Sequence, residues 1–306
     1  MPQPMAERNA GWTGPVIDRP IFIVGAGRSG STVFHRMFCE HPDVAWQSPL
    51  CDKFPAHPGL NRTLLQVAHW PVLGKFLTGY LRPGERYRFW DHYCRGFPRP
   101  CRDLLASDVT PVHRRNIPPA LAQLATSSRR RVLIKITGWP RIGFLRELFP
   151  HAKFIHVYRD GRSVASSLLA VSFWRGWEGP PQWGFGELDP LQQAEWEHYG
   201  RSFVALAGIQ WKLLMLAMDK AAMDVPATDL MHVRYEDFID DPVATFRNVA
   251  EFCELGWSAP FETSIRRKRL RTANEKWRDH LTVEQQALLE DVLAESLQRY
   301  GYSTRR

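Results

Sequence analysis

The sequence predicts a three-layer α/β/α domain, with helices on both faces of a parallel sheet of four or five strands and long loops covering one edge. Short apolar runs rich in β-branched residues recur along the 306 residues, as expected of buried strands. Segments of helix length separate these runs, which favours parallel pairing through right-handed crossovers. A glycine-rich segment also joins the first run to an amphipathic stretch. Ligands of such sheets bind at the carboxyl ends of the strands, beneath the predicted loops.

Apolar patterns and proline or glycine breaks predict the individual elements. The proline-rich residues 41–60 are predicted to form a loop, and residues 174–190 a second one. Residues 83–101 are dense in aromatic and charged side chains and are predicted to form an insertion over the site. Predicted strands cover residues 21–24, 132–136, 153–158 and 230–234. Predicted helices cover residues 33–38, 62–80 with a break at Pro71, 117–128, 141–149, 163–170, 191–223 as one helix or a pair, 240–254, and 282–300 with a capping box between Thr282 and Gln285.

Composition bounds the class of protein. With 44% hydrophobic and 24% charged residues, the chain has the make-up of a globular protein, and its net charge of +8 favours an anionic ligand. Five cysteines without paired spacing indicate a reducing compartment. The longest apolar stretch, residues 203–218, contains Gln210 and Lys212, which predicts a buried helix instead of a membrane span. We therefore expect a flexible segment over residues 1–18, a single domain over 19–306 and a cytoplasmic location.

The glycine-rich segment has the layout of a phosphate-binding loop. Gly25 and Gly30 have the separation of a Walker A loop, and Thr32 stands at its hydroxyl position. Ser31, however, occupies the position where nucleotide-hydrolysing proteins need lysine, and Arg28 supplies a cation from within the loop. Backbone N–H groups of such a loop converge on an anion at the positive end of the following helix. A purely structural turn is the alternative interpretation.

Five segments of the chain, the glycine-rich one included, carry a family resemblance. Arg28 to Thr32 resembles the 5′-phosphosulfate-binding loop of the sulfotransferase superfamily, and Glu40 to Val44 resembles the run that follows it in Golgi tyrosylprotein and carbohydrate sulfotransferases. Arg159 and Ser167 match the spacing of the superfamily's 3′-phosphate-binding pair. Residues 232–238 resemble its Tyr-Glu-Asp segment, and residues 274–278 its C-terminal Lys-Trp segment.

The resemblance implies a P-loop-type fold and transfer of a sulfuryl group from 3′-phosphoadenosine 5′-phosphosulfate (PAPS) to a hydroxyl or amine. The acceptor would be a small molecule or glycan, such as a carbohydrate, lipid or metabolite. Arg28 and the loop amides would stabilise the charge of transfer without a metal ion, with Lys135 as a second cation. We expect no metal ligands. The donor would contact Gly27, Arg28, Ser29, Gly30, Ser31, Thr32, Arg159, Ser167, Tyr235, Lys276 and Trp277, and the basic run Arg266 to Arg271 would either face it or form a solvated helix face.

The general base is where the sequence departs from these relatives. Several Golgi members place a glutamate just after the segment equivalent to Glu40–Val44, but here no carboxylate appears before Asp52. Asp91 or His92 is the predicted base, with packing and a solvated surface as the alternative. The acceptor site is expected to be lined by Trp90, Trp139, Trp174 and Trp177.

Two other classes of protein compete with this interpretation. A P-loop NTPase or kinase-like phosphotransferase would use nearly the same loop, but Ser31 replaces its lysine, and no apolar strand ends in a plain Walker B aspartate. A nucleic-acid binder would suit the net charge, yet no recognisable module is present and the cations are scattered. We expect no nucleic-acid partner and no integral membrane segment, and the sequence leaves the oligomeric state open.

Overall fold

The computed structural model describes residues 17–67, 79–270 and 274–303. Within these ranges five parallel strands form one sheet in the order β2-β3-β1-β4-β5, which confirms the predicted fold class. The strands are β1 (Ile21–Val24), β2 (Val44–Trp46), β3 (Arg131–Lys135), β4 (Lys153–Tyr158) and β5 (Leu230–Arg234).

The central strand is also the most completely buried. All four residues of β1 have no exposed surface, because β3 and β4 flank them and helices cover both faces. The register pairs Ile23 with Lys135 on one side and Val24 with His156 on the other. The carboxyl ends of β1, β3 and β4 therefore meet at one edge, directly before the glycine-rich loop.

Helices occupy both faces and the ends of the sheet. No helix in the described ranges is both long enough and apolar enough to cross a bilayer. The helices are α1 (Ser31–Phe38), α2 (Pro49–Lys53), α3 (Gly59–Val67), α4 (Tyr87–Tyr93), α5 (Pro111–Ala122), α6 (Ile142–Leu148), α7 (Gly161–Leu169), α8 (Pro190–His198), α9 (Phe203–Ala222), α10 (Tyr235–Asp240), α11 (Pro242–Phe252), α12 (Ala259–Arg267), α13 (Lys276–His280) and α14 (Val283–Arg299).

Several predicted boundaries were wrong. Strand β2 lies inside the predicted loop 41–60, where three residues between prolines give too short a pattern to detect. Helix α5 begins six residues earlier than predicted, because Thr110 caps it and accepts a hydrogen bond from the His113 amide. The predicted capping box between Thr282 and Gln285 is present. The predicted break at Pro71 and the predicted flexible segment up to residue 16 lie outside the described residues.

The two long loops are both anchored to the body of the protein. The insertion contains α4, whose Phe89 and Trp90 are buried in a cluster with β3 and α6. The second loop is held by Trp174, whose indole N–H donates to Gln210 on α9 at 2.7 Å. Both loops therefore have fixed positions relative to the carboxyl edge of the sheet.

Candidate active site at the carboxyl edge of the sheet

Two glycines set the shape of the phosphate-binding loop. A Cβ atom on Gly25 would lie 2.3 Å from the carbonyl oxygen of Val157 on β4, so a side chain would push the loop off the sheet. Gly30 has a φ of +85° and would place a Cβ 2.1 Å from the ring of Tyr235. Only glycine fits both the backbone conformation and the contact. The ring of Tyr235 thus packs against the loop from behind, and its predicted contact with the donor stays a prediction.

The loop presents unused hydrogen-bond donors. The amides of Gly30, Ser31 and Thr32 donate to no acceptor in the described part of the chain. They lie at the N-terminus of α1, where the helix dipole adds partial positive charge. The Ser29 hydroxyl is fully buried and has no hydrogen-bond partner among the described residues. Such a cradle of donors fits the oxygens of a phosphate or phosphosulfate group.

Arg159 is a buried cation that pairs with no carboxylate of residues 17–67, 79–270 or 274–303. It is 7% exposed, stacks on the ring of Tyr235 at 4.5 Å, and donates from Nε to the side-chain oxygen of Asn274 at 2.9 Å. It forms no ion pair within the described ranges, and burial lowers its pKa. The Ser163 hydroxyl donates to the carbonyl of the same Asn274 at 2.6 Å. A charge held this way is costly unless an anion neutralises it.

Ser167 contacts Arg28 and not Arg159, the arginine of its predicted motif. Arg28 is exposed, has a φ of 69°, and donates from Nε to the Ser167 hydroxyl at 2.8 Å. The nearest hydroxyl linked to Arg159 is instead that of Ser163, through Asn274. Joint binding of a 3′-phosphate by Arg159 and Ser167 stays a prediction, and Arg28 lies close enough to Ser167 to share the same anion.

Lys135 connects the loop to the insertion. It is 6% exposed at the end of β3, and its ammonium donates to the Thr32 hydroxyl at 2.9 Å. The same ammonium lies 3.3 Å from Oε1 of Glu85. Thr137 donates to Oε1 of Glu85 at 2.6 Å, and the Tyr87 hydroxyl donates to Oε2 at 2.8 Å.

Sequence reasoning missed Glu85. It lies in the segment 82–86, Arg-Pro-Gly-Glu-Arg, which matches no motif and has the composition of an ordinary turn. Two features of the sequence could have pointed to Glu85. It lies at the start of the aromatic insertion, and Lys135 lies at the end of a predicted strand beneath that insertion. Only the docking of the insertion on β3 shows that the two charges meet.

The predicted base residues lie further along α4. Asp91 accepts a hydrogen bond from the Gly96 amide at 2.8 Å, and His92 packs edge-on against Tyr93. Both are exposed, and neither contacts Lys135 or Thr32 in the described residues. Their role as a base stays a prediction. Asp52, the other carboxylate of this region, accepts from the amides of Arg88 and Phe89 at the start of α4 and so has a structural role.

Three of the four tryptophans expected at the acceptor site, Trp90, Trp139 and Trp174, are buried in the core. Trp90 is 1% exposed and stacked on Phe97, and Trp174 is 4% exposed. The expectation was therefore wrong for Trp90 and Trp174, because packing under the insertion and against α9 uses these rings. Trp139 lies at the carboxyl edge, next to Phe185 of the second loop, whereas Trp177 is largely exposed.

The C-terminal segment reaches the site through Asn274. Trp277 is 2% exposed and lies under the guanidinium of Arg162, and Lys276 is exposed. Their predicted contacts with the donor stay predictions. In the basic run, Arg266 pairs with Glu262 along one face of α12, and residue 271 lies outside the described residues.

A cavity of about 1060 Å³ is formed mainly by the second loop and α8, with Cys101 of the insertion on its wall. Its apolar lining includes Pro180, Pro181, Leu188 and Trp196, and its polar lining includes Glu178, Glu187 and Gln193. Phe185, between two lining glycines, packs on the Trp139 ring at 6.0 Å, and the Gly138 amide before that tryptophan donates to the Gly25 carbonyl. The cavity is thus separated from the phosphate-binding loop by this short contact chain. Its wall is mainly apolar.

Comparison with known proteins gives a consistent result. A sequence profile described as the sulfotransferase family matches residues 20–259. The chain is 25% identical over 319 positions to omega-hydroxy-beta-dihydromenaquinone-9 sulfotransferase Stf3 of Mycobacterium tuberculosis and of Mycobacterium bovis, covering 94% of this chain and 76% of the relative. The fold is similar to the crystal structure of sulfotransferase STF9 from Mycobacterium avium, with a TM-score of 0.56, 17% identity, and coverage of 98% of this chain and 80% of that one. For sulfotransferase STF1 from Mycobacterium tuberculosis the TM-score is 0.55 at 16% identity, with coverage of 95% and 79%.

Proposed function

Because this chain belongs to the sulfotransferase family and is a PAPS-dependent enzyme, we propose that it transfers the sulfuryl group of PAPS to the hydroxyl group of an apolar small molecule. The observation that carries the proposal is the pairing of a buried Arg159 with a loop of free amide donors at the same edge of the sheet, where neither has an ion-pair or hydrogen-bond partner of opposite charge in the described part of the chain. PAPS has two separated anionic groups: the 3′-phosphate would bind Arg159, and the 5′-phosphosulfate would bind the loop.

The donor half of the site is assigned as follows. The amides of Gly30, Ser31 and Thr32, with the unpartnered Ser29 hydroxyl, hold the 5′-phosphosulfate. Arg159 neutralises the 3′-phosphate, which replaces Asn274 as its hydrogen-bond acceptor or joins it. Ser167 contacts Arg28, so these two side chains can bind the same anionic group of the donor.

When bound, the donor supplies an activated sulfuryl group on a phosphate leaving group. Negative charge then grows on the sulfuryl oxygens and on the bridging oxygen during transfer. Arg28 lies inside the loop, and Lys135 touches its Thr32 hydroxyl, so both cations can face that charge. Preorganised cations and amides of this kind lower the barrier because they need no reorganisation.

An apolar alcohol is the acceptor class that two observations support. The relative of 25% identity is described as acting on omega-hydroxy-beta-dihydromenaquinone-9, a hydroxyl compound. The cavity beside Phe185 and Trp139 is walled by prolines, Leu188 and Trp196, which suits an apolar body better than a polar glycan. The hydroxyl would enter the site from the Trp139 side.

The test is a transfer assay with ³⁵S-labelled PAPS and three acceptor classes, namely long-chain or isoprenoid alcohols, monosaccharides and primary amines. We expect label in the alcohols, and adenosine 3′,5′-bisphosphate should stabilise the protein by about 2.7 kcal/mol at about a hundredfold excess over its Kd. ATP with Mg²⁺ is the control and should neither stabilise the protein comparably nor be hydrolysed. Label only in sugars or amines would overturn the acceptor class, and equal stabilisation by ATP would overturn the donor assignment.

A further inference from the structure

We infer that Glu85 is the general base that removes the proton of the acceptor hydroxyl. The inference rests on the proposed function, since it assigns a residue to the reaction described above. Glu85 lies next to the phosphate-binding loop. Its carboxylate contacts Lys135, and Lys135 contacts the Thr32 hydroxyl of that loop. In the described ranges no other acidic side chain touches Lys135.

The contacts of Glu85 leave one acceptor position of its carboxylate free within the described residues. Oε1 accepts a hydrogen bond from Thr137 at 2.6 Å and lies 3.3 Å from the Lys135 ammonium, whereas Oε2 accepts only from Tyr87, at 2.8 Å. A carboxylate offers roughly four acceptor positions, two on each oxygen. One position on Oε2 therefore remains for a donor from outside the protein, and the side chain is 18% exposed, so an acceptor hydroxyl can reach it.

The three neighbours also fix the orientation of the carboxylate. Tyr87 lies at the start of α4, and Thr137 follows β3, so the side chain is held from two separate elements. Burial, and then the charge of Glu85, raise the pKa of Tyr87, so its phenol stays protonated and donates. Such positioning of a base is what general base catalysis requires.

The chemical step balances with these groups. Oε2 of Glu85 takes the proton as the acceptor oxygen forms its bond to sulfur and the bond between sulfur and the 5′-phosphate oxygen breaks. The electron pair of the broken bond stays on the departing bisphosphate, and the carboxylic acid later returns its proton to water. Protonation cancels the charge of Glu85, so Lys135 keeps its contact with Thr32 while its positive charge becomes uncompensated. That happens as the leaving phosphate gains negative charge.

The decisive variant is Glu85→Gln, which keeps the shape and removes the base. We expect kcat with an alcohol acceptor to fall by roughly 10²–10⁴-fold, with unchanged binding of adenosine 3′,5′-bisphosphate. The matched control is Glu40→Gln, which removes the same charge from a carboxylate paired with Lys268 at the opposite edge of the sheet, and it should leave kcat unchanged. Melting temperatures check that both variants are folded.

Acceptor acidity separates a base from a merely structural residue. A phenol bearing electron-withdrawing groups needs little help in losing its proton, so the deficit of Glu85→Gln should shrink by about tenfold or more with such an acceptor. A deficit of equal size for both acceptors, or an equal loss of bisphosphate binding, would overturn the inference. So would a Glu85→Gln variant that keeps its rate while Asp91→Asn or His92→Ala loses it. The turnover of the unmodified protein reports separately on the proposed function.

Discussion

Two arginines at the carboxyl edge of the sheet have different surroundings and should act at different steps. Arg159 is buried and forms no ion pair within the described residues, so it should gain most from an anion in the ground state. Arg28 is exposed and held by one hydrogen bond to Ser167, and it lies within the loop where charge grows during transfer. At the scale of single residues, this difference in surroundings should appear as a difference in kinetics.

We expect Arg159→Ala to weaken adenosine 3′,5′-bisphosphate far more than 5′-AMP, because only the former has a 3′-phosphate. Arg28→Ala should instead lower kcat by roughly 10²–10³-fold with a smaller effect on bisphosphate affinity, as is typical of one lost transition-state donor. Arg28→Lys should restore part of the rate, since a point charge lacks the planar fork. Titration calorimetry with both nucleotides and steady-state kinetics measure these effects.

Either assignment has a clear contrary result. Equal affinity losses for the two nucleotides in Arg159→Ala would remove the 3′-phosphate role. A rise in the KM for the donor with an unchanged kcat in Arg28→Ala would make Arg28 a uniform binder instead of a catalytic group.

At the scale of elements, Arg141 holds the insertion against the sheet. It is 1% exposed, and its guanidinium donates to the carbonyls of Phe97, Pro98 and Trp139. Its own amide donates to Asp103 at 2.7 Å. Burial lowers the pKa of Arg141 to about 10, and burial raises the pKa of Asp103 to about 6. The C-terminal end of the insertion that carries Glu85 thus depends on one side chain beside β3.

Arg141→Lys should therefore loosen the insertion and leave the donor half of the site intact. A lysine keeps the charge but cannot donate to three carbonyls in the same plane, and each unsatisfied buried carbonyl costs about 1–3 kcal/mol. We expect faster hydrogen exchange over residues 83–103 and a large loss of kcat, with bisphosphate binding retained.

Arg102→Gln is the matched control for this variant. Arg102 lies directly after the insertion, but its ion pair with Asp108 is largely exposed, so exchange and turnover should change little. Unchanged exchange protection in Arg141→Lys would show that the insertion is held by its apolar contacts instead.

At the scale of the whole molecule, a pair of histidines links stability to pH. Nδ1 of His156 lies 3.1 Å from Nδ1 of His232 across β4 and β5, and Nε2 of His156 is buried with no hydrogen-bond partner in the described part of the chain. Burial, and then His232, lower the pKa of His156 to about 3, and burial also lowers the pKa of His232 and that of His35. All three side chains are therefore neutral in the folded protein at neutral pH.

The free energy of unfolding should fall as the pH drops below about 6.5, the ordinary value for histidine. In that range the unfolded chain binds protons that the folded chain does not, so each such histidine contributes a slope of up to about 1.4 kcal/mol per pH unit. His156→Gln should reduce the slope between about pH 5 and about pH 6.5 by about one histidine's share. Urea unfolding at several pH values measures it, and an unchanged slope in the variant would refute the assignment.

Most of the sheet could be predicted from the sequence. Strands β1, β4 and β5 have their predicted bounds, because each is a short, mainly apolar run next to a polar boundary, with one histidine inside β4 and one inside β5. Strand β2 could not be predicted, since its three residues draw their stability from pairing with β3 and not from their own pattern. Local patterns are informative where the burial is local.

The donor half of the candidate site was likewise visible in the sequence, whereas the acceptor half was not. The residues of the loop follow one another in the chain, so glycine spacing and Arg28 predict their common location. Glu85 and Lys135 are separated by fifty positions and meet only because α4 and Arg141 dock the insertion on β3. No pattern in the sequence indicates that docking, and the sequence therefore pointed to Asp91 and His92 instead.

The cysteines give this protein a native attachment point for a spectroscopic reporter. Burial raises the pKa of the thiols of Cys39, Cys51, Cys94 and Cys253, and all four are enclosed by the core. Cys101 is the exposed one, and it lies on the wall of the large cavity. An environment-sensitive fluorophore coupled under mild conditions would thus label Cys101 alone. Its emission would register whatever enters the cavity, without any substitution in the chain.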